Sequence, residues 1–113
     1  MREIKAVVRK ERLGDLVRSL QNAGASRLTV SRVHVLGAGV DPTDVQFSFD
    51  EGAAYTEKAK VEVLCPDEEV RSLLEVIREA AATGHRGDGV LIVSPVNEVT
   101  NIRTGDTGGL ALL

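Results

Sequence analysis

The clearest chemical signal in the chain is a short segment, Thr83-Gly84-His85-Arg86-Gly87-Asp88-Gly89, with three glycines in six positions beside a basic pair. Glycines let backbone N–H groups approach a ligand closely, and cations beside them favour an anion. A glycine-rich turn between helix and strand also forms without any ligand, so the segment alone leaves both readings open. Nucleophilic catalysis finds little support: Cys65 alternates with polar residues and reads as a small apolar side chain. His34 and His85 stand far apart, with no Ser-His-Asp ordering. Metal ligands are on offer from His34, His85, Cys65 and the loop acids Asp41, Asp44, Asp50 and Glu51, but no His-x₃-His or Cys-x₂-Cys spacing occurs. A metal-ion-responsive binding protein is therefore the alternative function, ahead of an acylphosphatase-like enzyme built on Arg9 and Asn101, whose spacing matches no recognisable motif.

Composition narrows the classes further. At 113 residues the chain allows one domain, 1–113, burying roughly 65% of the surface of its unfolded form. Fourteen Lys and Arg against seventeen Asp and Glu give a net charge of −3, without Trp and with only three Phe and Tyr. That removes both bulk attraction to phosphates and stacking platforms for bases, so no nucleic-acid partner is expected. A single cysteine fits a reducing compartment, and Met1-Arg2-Glu3 leads into Ile4 without a sustained apolar stretch, so a cytoplasmic setting is expected.

The elements that must position these residues follow from hydrophobic period. Residues 2–9 alternate as a strand, with Ile4, Ala6 and Val8 on one face. Leu13, Leu16, Val17 and Leu20 have helical spacing, stopped near Gly24. A second strand runs from about 28 to 36, and a third from about 58 to 65 sets Ala59, Val61, Val63 and Cys65 against Lys58, Lys60, Glu62 and Leu64. Pro66-Asp67-Glu68-Glu69 opens a second helix, carrying Val70, Leu73, Leu74 and Ile77 inward, and Val90 to Val93 form the last strand. Strand–helix–strand thus occurs twice. The expected fold is α+β and ferredoxin-like, βαββαβ, a four-stranded antiparallel sheet with two helices on one face.

The helix-free face mixes Lys5, Lys60 and Glu62 with Val7, Leu64 and either Val90 or Leu91, an aliphatic band that predicts a homo-oligomer. Residues 37–55 form a long connection of acidic composition without a clear period, the kind of loop that is usually functional or disordered. It holds both phenylalanines, Phe47 and Phe49, followed by Asp50 and Glu51. An exposed aromatic pair there suits partner docking; tucking the loop onto its own domain is the other use. The C-terminal segment, about 96–113, ends on leucines that cover a neighbouring surface or pack at a seam between copies.

Thr83-Gly84, Gly87-Asp88-Gly89 and Ile102-Arg103-Thr104-Gly105, with Leu28-Thr29-Val30, Gly37, Lys58, Lys60 and Glu62, resemble the signature of the P-II nitrogen-regulatory signalling proteins over essentially the whole chain. The resemblance implies a non-catalytic homotrimer that binds adenine nucleotide, often with 2-oxoglutarate, in three clefts between subunits and touches a membrane transporter or metabolic enzyme through loop 37–55. It assigns nucleotide contacts to Val7, Thr29, Gly37, Glu62 and Leu64, and to Arg86, Gly87, Asp88, Gly89 and Arg103. Lys58 falls to the effector or loop base, and Phe47, Phe49, Asp50 and Glu51 to the partner surface; no cofactor or resident metal is required. This chain departs from the pattern at two cations that meet the phosphates, having Val90 after Gly-Asp-Gly and Asn101 before Ile102-Arg103. Two lost charge-assisted hydrogen bonds amount to at most ~3–6 kcal/mol, or roughly 10²–10⁴ in affinity. ADP or AMP is therefore the expected ligand, with ATP weak. Gly39 replaces the glutamine that helps hold Mg²⁺ and 2-oxoglutarate, and Glu51 replaces the tyrosine that some members modify.

Overall fold

The computed structural model describes residues 1–25 and 27–113. Strand β1 (Arg2–Arg9) buries Ile4, Ala6 and Val8 and turns the intervening residues to the opposite face, as its alternation requires. A short 3₁₀ turn leads into α1 (Leu13–Asn22), which buries Leu16 and Leu20 one turn apart. The helix ends in a Schellman arrangement: the Ala25 N–H reaches the Leu20 carbonyl and the Gly24 N–H reaches that of Gln21, both at 3.0 Å. Strand β2 (Leu28–Val35) follows, then the long connection, and then β3 (Gln46–Ser48) and β4 (Ala53–Cys65). A 3₁₀ turn at Asp67–Glu69 opens α2 (Val70–Ala81), and β5 (Gly89–Pro95) closes the sheet.

The main sheet runs β2-β4-β1-β5, every pair antiparallel, with Ile4 opposite Val63 on one side and Val93 on the other. Both helices bring their buried residues to one core: Leu16, Leu20, Leu73, Ile77 and Ala81 pack over Ile4, Ala6, Val61 and Val63. Arg12 ties the helices together, donating from Nε and Nη2 to the Ala80 carbonyl at 3.0 and 2.6 Å and satisfying one of the acceptors that a helix end leaves open. Cys65 lies in this core, where burial pushes its thiol up, consistent with an inert apolar role.

The long connection is more structured than its composition indicates. β4 starts at Ala53 rather than near Lys58, and its outer end pairs with β3, Gln46 opposite Tyr55 and Ser48 opposite Ala53. Residues 53–57 show no apolar alternation because this stretch rests on backbone pairing instead of core burial. The ambiguity on β5 is also settled: Val90 lies beside Val7 and is exposed, while Leu91 packs against the core.

Candidate functional site

The glycine turn is held by its own aspartate. The Asp88 carboxylate accepts from the Thr83 N–H at 2.8 Å, the Gly84 N–H at 3.0 Å, and the Thr83 hydroxyl. These bonds, led by the Thr83 hydroxyl, hold Asp88 far below the usual carboxylate range. The same group takes the Arg9 Nε at 3.0 Å, while Arg9 Nη2 donates to the Arg86 carbonyl at 2.7 Å and Nη1 to Asp41. Arg9 therefore spans from the end of β1 to the glycine turn and to the base of the long loop. Hydrogen bonding to Asp88 and Asp41 raises its already high pKa.

Lys58, placed by sequence on the mixed outer face, is only 2% exposed because the glycine turn folds over it; its Nζ donates to the Gly87 carbonyl. Burial, with Arg9 nearby, lowers its pKa. Asp41, read in sequence with the loop acids, is also 2% exposed. Its Oδ1 accepts from the Thr43 N–H at 3.0 Å and hydroxyl at 2.8 Å, and its own N–H donates to Thr56 Oγ1 at 2.7 Å. These Thr43 bonds, helped by Arg9, hold it below the usual carboxylate range. Sequence reasoning gave Thr43 and Thr56 no site role, and it offered Arg9 only for an acyl-phosphate site, Asp41 only among the metal-ligand acids and Thr83 only as part of the glycine segment. The Asp41 bonds to Thr43 are local, but those to Thr56 and Arg9 join residues 15 and 32 positions apart, too far to be paired by pattern.

Acid pH tests this cluster. Aspartates whose folded pKa lies below the usual 3.8 bind protons more readily when the chain unfolds. Their stabilisation is complete above that value and is lost as pH falls through it toward the folded values. Urea midpoints are expected to be flat between about pH 7 and 5 and to drop between about pH 4 and 2; a midpoint that holds at the acid end contradicts the arrangement.

The residues assigned to nucleotide do not meet within one chain. Val7, Gly87, Asp88 and Gly89 gather at the glycine turn, with Lys58, assigned to the effector or loop base, beneath it. Thr29, Leu64 and Arg103 line a separate cavity of about 780 Å³, with Glu62 directly opposite Thr29 in the sheet. Lys58 and Leu64 are six residues apart on β4, roughly 20 Å along the strand. Gly37 opens a 3₁₀ turn at the end of β2. Arg86 and Arg103 are exposed and form no ion pair among the described residues.

Asn101 has its own work. Its Oδ1 accepts from the Arg103 and Thr104 N–H groups at 3.0 and 3.1 Å, and its Nδ2 donates to the Ala111 carbonyl at 3.0 Å. With Arg27 donating to the Leu112 carbonyl at 2.9 Å, this draws the C-terminal 3₁₀ turn (Gly108–Leu112) into the wall of the same cavity; Ala111 is buried and Leu110 and Leu113 are exposed. Arg9 and Asn101, the acyl-phosphate candidates, are thus engaged in separate networks. A side chain at Gly39 would place Cβ 2.3 Å from Val35 Cγ1, so a glutamine there requires Val35 to shift.

The loop's outer hairpin is braced by His34 stacked on Tyr55, centroids 3.9 Å apart, with His34 Nδ1 against Glu51 and the Tyr55 hydroxyl donating to Gln46 at 2.9 Å. The His34 hydrogen bond holds the Glu51 carboxyl below its usual range. Phe47 and Phe49 meet edge to face at 5.3 Å and remain exposed, Phe49 at 92%, beside exposed Asp50. They do not tuck into the domain. Among the described residues no group of three or more His, Cys, Asp and Glu side chains converges on a metal position, and no helix is long and apolar enough to cross a membrane.

The chain is a two-helix, antiparallel α+β domain with a braced loop and a glycine turn, and comparison with known proteins gives its family. The family model for Nitrogen regulatory protein P-II matches residues 1–106. Nitrogen regulatory protein P-II of Rhizobium meliloti is 36% identical over 108 residues, 96% of each chain. Nitrogen regulatory protein P-II 2 of Methanothermobacter thermautotrophicus is 36% identical over 112 residues, covering 99% of this chain and 97% of that one. The Azospirillum brasilense P-II protein is 33% identical over 99% of this chain and its own full length. The chain belongs to the P-II nitrogen-regulatory family, whose members are non-catalytic signalling proteins.

Proposed function

We propose that the protein is a homotrimeric P-II signalling protein that binds an adenine nucleotide, ADP or AMP in preference to ATP, in clefts between subunits. The observation that carries this reading is the division of the assigned residues into two incomplete halves at separate places on one sheet. A neighbouring copy set against the helix-free face would bring the glycine turn of one chain to Thr29, Leu64 and Arg103 of the next. It would also cover exposed Val90 and Ile92, which lie opposite Val7 and Lys5 on that face. The preference for fewer phosphates rests on Val90, which offers no charge, and on Asn101, whose amide is already used by the Arg103 turn and the tail.

Bound nucleotide at the glycine turn would bias the adjoining loop 37–55, whose exposed Phe47 and Phe49, with Asp50 and Glu51, would meet a transporter or metabolic enzyme from the cytoplasmic side. Calorimetry against ATP, ADP, AMP, 2-oxoglutarate and bicarbonate tests the reading. ADP or AMP is expected to bind, with ATP weaker by about tenfold or more, roughly 1.4 kcal/mol, in a particle three times the chain mass. Tightest binding of Mg-ATP, or a 12.1 kDa particle in dilute solution, overturns it.

A further inference from the structure

The most enclosed charges in the molecule lie where the long loop meets the glycine turn. Asp41 is almost fully buried although Pro42, Thr43 and Val45 beside it are exposed. Its carboxyl group lies close against the turn: a Cβ added to Gly87 would be 2.9 Å from Asp41 Cγ and 3.1 Å from Oδ2. Two cations, Arg9 and Lys58, and two carboxylates, Asp41 and Asp88, make up the cluster, so its charges balance only while Asp41 is in place. Because Arg9 grips Asp41 and Asp88 at once, the loop base and the turn are fastened through one guanidinium. Removing one partner of an enclosed pair leaves the other uncompensated.

We propose that Asp41 is a built-in anionic ligand: its carboxylate fills a small-carboxylate site formed by Arg9, Thr43 and the Gly87 backbone, and so latches the base of the long loop to the glycine turn. The site is then an anion receptor whose occupant is covalently part of the chain, closed to external anions while Asp41 occupies it. The latch sets the resting position of loop residues 40–44 without nucleotide, so its test stands whether or not the nucleotide reading does.

Asp41→Ala removes a carboxylate of formate size, and formate is the probe. Backbone hydrogen exchange of segments 37–46 and 83–89 is measured without nucleotide, in formate and in chloride at equal ionic strength. In Asp41→Ala, exchange in both segments is expected to quicken about tenfold or more, the loss of roughly 1.4 kcal/mol of local protection. Tens of millimolar formate should restore it; chloride should not. The parent should be indifferent to formate. Asp41→Asn, which keeps the shape but not the charge, should loosen both segments and stay loose in formate, because its amide blocks the hole. Unchanged exchange in both variants overturns the proposal, as does a loosened Asp41→Ala that formate fails to tighten. Should Asp41→Ala fail to fold, Asp41→Asn decides: protection equal to the parent refutes the latch, and quickened exchange confined to the two segments supports it.

Discussion

Gly89→Ala is expected to remove about 4 kcal/mol or more of folding stability, a large share of the ~5–15 kcal/mol that holds a domain together. Gly89 has φ +114°, where L side chains are rarely found, and a Cβ there would lie 1.7 Å from the Val7 carbonyl oxygen. The obstacle is backbone, so no rotamer relieves it. Gly89 pairs with Val8 at the start of β5, and the clash acts on a register that continues to the Arg2–Pro95 pair. Moving β5 outward to make room would break the contacts of Leu91 and Val93 with the core. Gly109→Ala is the control: nothing lies within 4 Å of its Cβ and its φ is not positive, so a change within about ±0.5 kcal/mol is expected. Urea unfolding of the pair decides the matter. A Gly89→Ala midpoint close to the control's would mean that the strand opening does not need this approach of β5 to β1.

Val90→Lys is expected to tighten ATP binding by about 10- to 150-fold, the worth of one charge-assisted hydrogen bond at ~1.5–3 kcal/mol. Val90 is 58% exposed on the helix-free face, next to the glycine turn and across from Val7. A lysine there places a flexible cation where the proposed nucleotide's phosphates would lie, without disturbing the core. The gain should shrink from ATP to ADP to AMP as phosphates are removed. Asn101→Arg is a poorer restoration, because it releases the Ala111 carbonyl and the Arg103 turn together. Equal affinities of parent and Val90→Lys for all three nucleotides would remove the phosphates from this end of the sheet.

How much of this was readable beforehand follows from what each element rests on. β1, α1 and α2 stand on core burial, and burial leaves a period: Ile4, Ala6 and Val8 alternate, while Leu16 and Leu20 recur one turn apart. The outer end of β4 stands on backbone pairing with β2 and β3, and backbone pairing leaves no mark on side-chain order. The glycine turn was plain from composition, but the same glycines left open whether it meets an anion. That Asp88 is consumed inside the turn, and that Lys58 is roofed by it, depended on folding back across the chain. The bonds that define the site join residues 29, 32 and 79 positions apart, beyond the reach of any local pattern.

β4 runs unbroken for 13 residues, roughly 43 Å at ~3.3 Å per residue. Its inner part, Lys58–Cys65, lies against β1, while Ala53–Tyr55 carries the aromatic tip through β3. A partner holding Phe47 and Phe49 would therefore pull on a hairpin whose second strand continues, through buried Thr56 and Lys58, into the core sheet. No break in β4 separates that aromatic end from the middle of the sheet.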